Sequence, residues 1–345
     1  MKRISVLAAA ACAALLASCG STAVQESRAE TSTLQTTTQQ TATTTVTAVT
    51  EDETQTEPEE IYDTSAISAA YLSGDTSGLD EFQMEIYERA VQVMEEVLTE
   101  DMTDYEKELA IHDYIVANIT YDVDNLSVFE THGEHASDPY GALVEGRCIC
   151  LGYTTTFQMF MDMLEIPCIT IRGESIHEDE DNADHAWNMV ELNGHSYYVD
   201  VTWDDPVPDE EGRPVKHSYF NVGEELMKAK HLWDEQLTPE MDSVEESFIA
   251  HNLRTVSDES EIAELADEAL AKGHGDFYFE PEDKDGWALE KAEPVDGYVS
   301  AYVIKPSLQN AVDKITRKHK NAKILFHRTE FDGRIIVMGY IYSNS

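Results

Sequence analysis

Cys150, His185 and Asp200 have the types and spacing for acyl chemistry. A thiolate attacks carbonyl carbon, an imidazole takes and returns the proton, and a carboxylate fixes the tautomer of the imidazole and stabilises its cation. The histidine and the aspartate are joined by a hairpin signal. Asn193-Gly194 suits a two-residue turn between the strand-like runs His185 to Leu192 and His195 to Trp203. Such a turn pairs Leu192 with His195, and the same register sets Trp187 opposite Asp200 and His185 opposite Thr202. His185 and Asp200 then share a face as diagonal neighbours, roughly 7 Å apart at Cβ.

The nucleophile is chosen from few cysteines. Five occur; Cys12 falls in the N-terminal leader and Cys19 is set aside just after it, which leaves Cys148, Cys150 and Cys168, an odd number that implies a free thiol. Cys150 begins a predicted helix running to Leu164, with Tyr153, Phe157, Phe160, Met161 and Leu164 on one face. Unpaired donors and the dipole at a helix start favour a thiolate, and the Cys150 amide can hold an oxyanion. Cys148 competes but lies outside the helix, and Cys168 sits in an apolar strand as inert packing. Cys148-x-Cys150 with His132, His135 or His177 lacks the spacing of a closed zinc site. The acidic run Glu178 to Asp184 lacks the glycine and distal glutamate of an EF-hand loop. No metal and no cofactor is therefore expected, and Trp187, Trp203 and Trp233 are expected in the core or the wall of a cleft.

The elements that must hold these residues are helices first and strands second. Leu79 to Glu100 and Tyr105 to Asn118 carry helical apolar spacing, the second opened by a Thr103/Glu106 capping box, with His112 expected as a packed or surface histidine. Asp138-Pro139-Tyr140-Gly141 is a turn signal, and Pro167 to Arg172 is a strand. Helices followed by antiparallel strands define an α+β fold. After about residue 250 a second set starts: helix Ser257 to Lys272, strand candidates Phe277 to Phe279 and Tyr298 to Ile304, helix Ser307 to His319, and strands Lys323 to Thr329 and Arg334 to Tyr342 across Asp332-Gly333. It reads as a small α/β unit without concentrated chemistry.

Met1 to Ser18 has a basic start, an apolar run and small residues leading into Cys19, the layout of a secretory signal. Leu16-Ala17-Ser18-Cys19 resembles the bacterial lipobox, so acylation of Cys19 is expected to anchor the protein to the bilayer, facing the cell exterior or periplasm. Each buried methylene adds about 0.8 kcal/mol to such an anchor. Residues 20 to about 60 are rich in Thr and Gln and poor in large apolar side chains, as in a disordered tether. The expected organisation is a signal over 1–18, a tether over 19–62, a catalytic domain over 63–248 and the α/β unit over 249–345. A net charge of -45 argues against nucleic acid as a partner.

Tyr140-Gly141-Ala142-Leu143, Gly146-Arg147-Cys148-Ile149-Cys150-Leu151-Gly152-Tyr153, His185-Ala186-Trp187-Asn188 and Tyr198-Val199-Asp200-Val201-Thr202-Trp203-Asp204-Asp205-Pro206 together resemble the transglutaminase-like superfamily. The likeness runs from about Glu106, through Tyr121, to His217-Ser218-Tyr219-Phe220 and His231-Leu232-Trp233. It implies a papain-related core in which a cysteine helix packs on an antiparallel sheet, with Cys150 as nucleophile, His185 as base and Asp200 as orienting carboxylate. It supplies no counterpart for a second oxyanion donor, does not require Cys148, and does not reach the C-terminal unit. The implied activity is a thioester acyl-enzyme on a protein or peptide substrate, resolved by water or by an amine, with hydrolysis favoured. The alternative is a surface-anchored binding module for protein or cell wall whose chemistry is unused.

Overall fold

The structure, a computed structural model, describes residues 61–123, 134–176, 183–205, 214–239, 241, 243–282, 306–320 and 322–343. Its first elements are α1 (Ser65–Ser73), α2 (Glu81–Val97) and α3 (Asp104–Asn118). Capping boxes start the last two, Asp80 with Gln83 and Thr103 with Glu106. Each satisfies two backbone donors that the helix leaves unpaired. β1 (Thr120–Tyr121) pairs in parallel with β2 (Arg147–Cys148), and a π-helical turn, Gly141–Glu145, closes on Gly146 at φ 73° just before β2.

α4 (Cys150–Met163) follows at once. Its side chains are buried nearly all round, including Tyr153, Phe157, Phe160 and Met161, because it packs against α1 on one side and two strands on another. Truncating Phe157 or Phe160 to alanine would cost about 3–5 kcal/mol. The strands are β3 (Cys168–Ser175), β4 (Ala183–Leu192) and β5 (His195–Val199), with a short β6 (His231–Leu232). They form an antiparallel sheet in the order β5-β4-β3-β6. Asn193 and Gly194 take positive φ, 54° and 82°, and Leu192 pairs with His195 as a two-residue turn requires.

The second strand of the hairpin is shorter than its alternation suggests. β5 stops at Val199, so the expected pairs Trp187 with Asp200 and His185 with Thr202 do not form. The Asp200 side chain instead accepts from the Trp203 amide and caps a short helix, α5 (Val201–Asp204). Local capping by a carboxylate competes with the ladder here and ends it.

After α6 (Glu224–Lys228) and α7 (Phe248–Asn252) comes a second four-stranded sheet. Its elements are β7 (Leu253–Val256), α8 (Glu259–Ala271), β8 (Asp276–Pro281), α9 (Pro306–Lys318), β9 (Ala322–Phe331) and β10 (Arg334–Ser343). The strand order is β7-β8-β10-β9, and α8 and α9 pack on one another and on the sheet around Ile262, Phe279, Ala311 and Ile315. The strand candidate Tyr298 to Ile304 lies outside the described residues. Both sheets belong to one compact unit, Pro58–Ser345, and Phe248, Tyr278 and Ile336 are buried in the same core as α4. Among the described residues no helix is long and apolar enough to cross a membrane.

Candidate active site

Cys150 is set by the turn that precedes it. Pairing of β2 with β1 and a bond from the Ile149 amide to the Ala136 carbonyl (2.8 Å) fix the chain, and the extended Ile149 delivers Cys150 as the first residue of α4. Cys150 is partly exposed, whereas Cys148 and Cys168 are buried, and all three are free thiols. Burial pushes the Cys148 and Cys168 thiols well up from their ordinary value, so neither offers a ready thiolate. Cys148 fills the space beside Gly152. A Cβ on that glycine would lie 2.5 Å from Cys148 Cβ, and 2.8 Å from both its sulfur and the Ala136 carbonyl oxygen.

His185 comes from β4 and reaches across to Asp200 at the end of β5. Its Nε2 lies 2.7 Å from Asp200 Oδ2, and Cys150 hydrogen-bonds the same ring, which leaves Nδ1 for the thiol. Asp200 is fully buried. Its Oδ1 accepts from the Trp203 amide (3.1 Å), and its own amide donates to the Tyr219 carbonyl (3.0 Å). A second histidine shares Oδ2: His231 Nε2 lies 2.9 Å away, while its Nδ1 donates to the Met227 carbonyl at 3.2 Å.

The charges follow from this packing. Burial alone would raise the Asp200 carboxyl, yet the positive charge of His185 and hydrogen bonds from His185 and His231 bring it down to about 2. Burial alone would lower His185, but the Asp200 charge and hydrogen bond, aided by Cys150, lift it to about 10. The pair is therefore imidazolium and carboxylate at neutral pH.

Aromatic rings enclose it. His185 sits 5.7 Å from both Trp187 and Trp203, and His231 packs against Trp203 (4.5 Å) and edge-on to Trp187 (4.8 Å). Tyr121 from β1 lies at the thiol, its hydroxyl accepting a hydrogen bond from the Cys150 amide. Burial, with the nearby thiols and Asp200, raises this phenol far above its ordinary value, so it keeps its proton.

The structure thus brings Cys150, His185 and Asp200 together and keeps Cys148 apart. Trp203 lies beside His185 at the site, while Trp187 is core and Trp233 packs edge-on to it. His135 bonds Asp138 (3.0 Å), and His112 is fully buried between Asp113 and Asp204. Cys19, His132 and His177 lie outside the described residues. His231 and Tyr121 were not picked out as site residues from sequence. Their signal was present only as family-like stretches, because neither shares a helix face or strand register with the triad.

A cysteine at a helix start facing a histidine from an antiparallel sheet, with an aspartate just past the end of the neighbouring strand, is an arrangement suited to thiol chemistry. Residues 91–202 match the family model described as transglutaminase-like superfamily, and the chain carries a transglutaminase-like domain of mixed α+β fold. The chain is similar to kyphoscoliosis peptidase of Homo sapiens, 29% identical over 134 residues, covering 37% of this chain and 18% of that protein. It is also similar to kyphoscoliosis peptidase of Mus musculus, 29% identical over 119 residues, covering 32% of this chain and 18% of that protein. It thus spans less than a fifth of these relatives. A crystal structure of a TGase overlaps 41% of this chain and 38% of its own, with a TM-score of 0.30 and 16% identity.

Proposed function

We propose that this chain is a cysteine hydrolase of peptide or protein amide bonds, acting through a thioester on Cys150. The observation that carries the reading is the 2.7 Å bond from His185 Nε2 to Asp200 with Cys150 bonded to the same ring. Cys150 Sγ attacks the amide carbonyl, its proton residing on His185. The Cys150 amide and the Tyr121 hydroxyl donate to the oxygen that becomes negative. His185 Nδ1 then protonates the departing amine as the carbon–nitrogen bond breaks. Water, deprotonated by the same nitrogen, attacks the thioester and releases acid and thiol. Asp200 keeps the ring turned towards the sulfur throughout. Kyphoscoliosis peptidase is by name a peptidase, which supports hydrolysis over amine capture. We propose further, from Leu16-Ala17-Ser18-Cys19 alone, that acylation of Cys19 anchors the enzyme outside the cell or in the periplasm.

Two separate assays test it: labelling by a thiol-directed electrophile at mild pH, and incubation of the untreated enzyme with an unfolded protein substrate and a labelled primary amine. Cys150 is expected to label far faster than Cys148, with His185→Ala slowing it, and peptides are expected without amine incorporation. Cys150-dependent incorporation would establish transfer instead. Equal labelling of the two cysteines, unaffected by His185→Ala, would leave a binding module.

A further inference from the structure

A second cluster of buried histidines and carboxylates lies apart from the residues given roles above. Asp113 on α3 faces three imidazoles. His112 Nδ1 is 3.1 Å and His217 Nε2 2.9 Å from its Oδ1, and His274 Nε2 is 3.0 Å from its Oδ2. The side chains of His112 and His217 are 0% exposed and that of Asp113 is 23% exposed. The outer nitrogen of each enclosed ring meets another buried carboxylate: His112 Nε2 is 3.2 Å from Asp204 Oδ2, and His217 Nδ1 is 2.8 Å from Asp276 Oδ1. Those carboxylates are held in turn, Asp204 by the Tyr219 amide at 3.0 Å and Asp276 by the Tyr278 hydroxyl at 2.8 Å. Phe248 stacks flat on His217 at 3.7 Å.

A metal-bound imidazole uses one nitrogen for the ion and donates the other N–H to a carboxylate, which fixes its tautomer and raises its basicity. Both enclosed histidines have that arrangement. One ligand atom from each of His112, Asp113 and His217 lies within 4.8 Å of the others. Zinc bonds of about 2.0–2.2 Å in a tetrahedron put ligand atoms roughly 3.3 Å apart. The carboxylate–imidazole separations of 2.9 and 3.1 Å lie within a few tenths of an ångström of that value, and the two ring nitrogens, within 4.8 Å of each other, close towards it by side-chain rotation. The two rings, 5.4 Å apart at their centroids, meet one carboxylate oxygen from two sides. A single dication there would engage both imidazoles and the carboxylate at once.

We propose that His112, Asp113 and His217 bind a zinc ion, with His274, whose Nε2 lies 3.0 Å from the other carboxylate oxygen, as a candidate fourth donor. Imidazole and carboxylate donors suit zinc, and the full enclosure of both rings suits a structural ion. The site joins α3 of the transglutaminase-like domain to His274 and Asp276 at the start of β8, so the ion fastens the second sheet in place. The proposal is independent of the chemistry at Cys150.

The test is metal analysis of the purified full chain after exhaustive dialysis, with thermal melting before and after chelator treatment and on return of zinc chloride. One equivalent of zinc is expected, in the wild type and also in Asp200→Asn, which disables the other histidine–carboxylate group at the triad. The melting temperature should fall on chelation and recover with zinc. Asp113→Asn should lose the equivalent, and Asp276→Asn, which alters only the outer partner of His217, should weaken zinc binding roughly 10–100-fold. Three results would each overturn the proposal: wild type that retains no zinc and melts the same with and without it, a different metal held at this site, or an equivalent lost in Asp200→Asn and kept in Asp113→Asn. The wild-type arm reads out even where a variant fails to fold.

Discussion

His231 and His185 donate to the same oxygen: their Nε2 atoms lie 2.9 and 2.7 Å from Asp200 Oδ2. The triad carboxylate is therefore held from two sides, and His231 acts on the reaction only through it. Replacing His231 with Phe removes one hydrogen bond to a buried charge, worth about 1.5–3 kcal/mol. The expected result is a fall in kcat of roughly ten- to a hundredfold with KM little changed. His231→Gln, which can still donate to Asp200, should recover part of the loss. A merely structural role would move stability in both variants and leave this split absent.

The paired charges predict a pH dependence of stability. The folded value of His185, about 10, lies above its ordinary 6.5, so its pairing stabilises fully below that ordinary value and is lost as pH rises through about 10. Asp200, at about 2, lies below its ordinary 3.8, so its contribution is present above that value and is lost as pH falls through about 2. Urea unfolding of wild type and Asp200→Asn should therefore show the largest difference between about pH 4 and pH 6.5, shrinking towards pH 10. A difference that grows from pH 7 to pH 10 would contradict the assigned ion pair.

Gly152 and Cys148 are predicted to be a packing pair rather than chemistry. Gly152→Ala forces a methyl against Cys148 and the Ala136 carbonyl, and overpacking of this kind costs about 1–3 kcal/mol. Removing the sulfur with Cys148→Ala relieves its 2.8 Å contact but leaves the Cβ of residue 148, at 2.5 Å, and the Ala136 carbonyl in place. Urea denaturation of the double variant should recover part of the loss, while Cys148→Ala alone keeps the Cys150 labelling rate.

Much of this site was legible in the sequence wherever a feature is local. The Asn193-Gly194 turn gives its register through backbone conformation alone, the Thr103/Glu106 box marks a helix start, and the apolar face of α4 repeats with helical spacing. The misreading at Asp200 arose because alternation from His195 to Trp203 continues past the point where a side chain caps a helix. His231 and Tyr121 were harder for a different reason. Each reaches the site through a two-residue strand, β6 pairing with β3 and β1 with β2, too short to leave any periodicity. The convergence of His112, His217 and His274 on Asp113 is longer in range still, with His274 lying 161 residues away along the chain.

The proposed anchor rests on Leu16-Ala17-Ser18-Cys19. Cells expressing the full chain with a labelled fatty acid should yield labelled protein in the membrane fraction, and Cys19→Ala should abolish the label and release the protein to the soluble fraction. Label that survives Cys19→Ala would remove Cys19 as the acceptor.

Tyr121 bears the sharpest mechanistic prediction. Its hydroxyl accepts from the Cys150 amide, so the phenol lies beside the one backbone donor that a helix-start cysteine brings to an oxyanion. Because burial keeps the phenol protonated, it has an O–H to give when a tetrahedral intermediate forms. Tyr121→Phe keeps the ring and its packing but removes that donor. Loss of one oxyanion donor costs about 10²–10³ in kcat. Alkylation of Cys150 by a haloacetamide, which builds no oxyanion, depends on the thiolate and His185 instead. The expected outcome is therefore a large fall in amide hydrolysis with an alkylation rate within about threefold of wild type, a gap of under ~1 kcal/mol. If both rates fall together, Tyr121 sets the state of the thiol and is not an oxyanion donor. If neither falls, the second donor lies elsewhere.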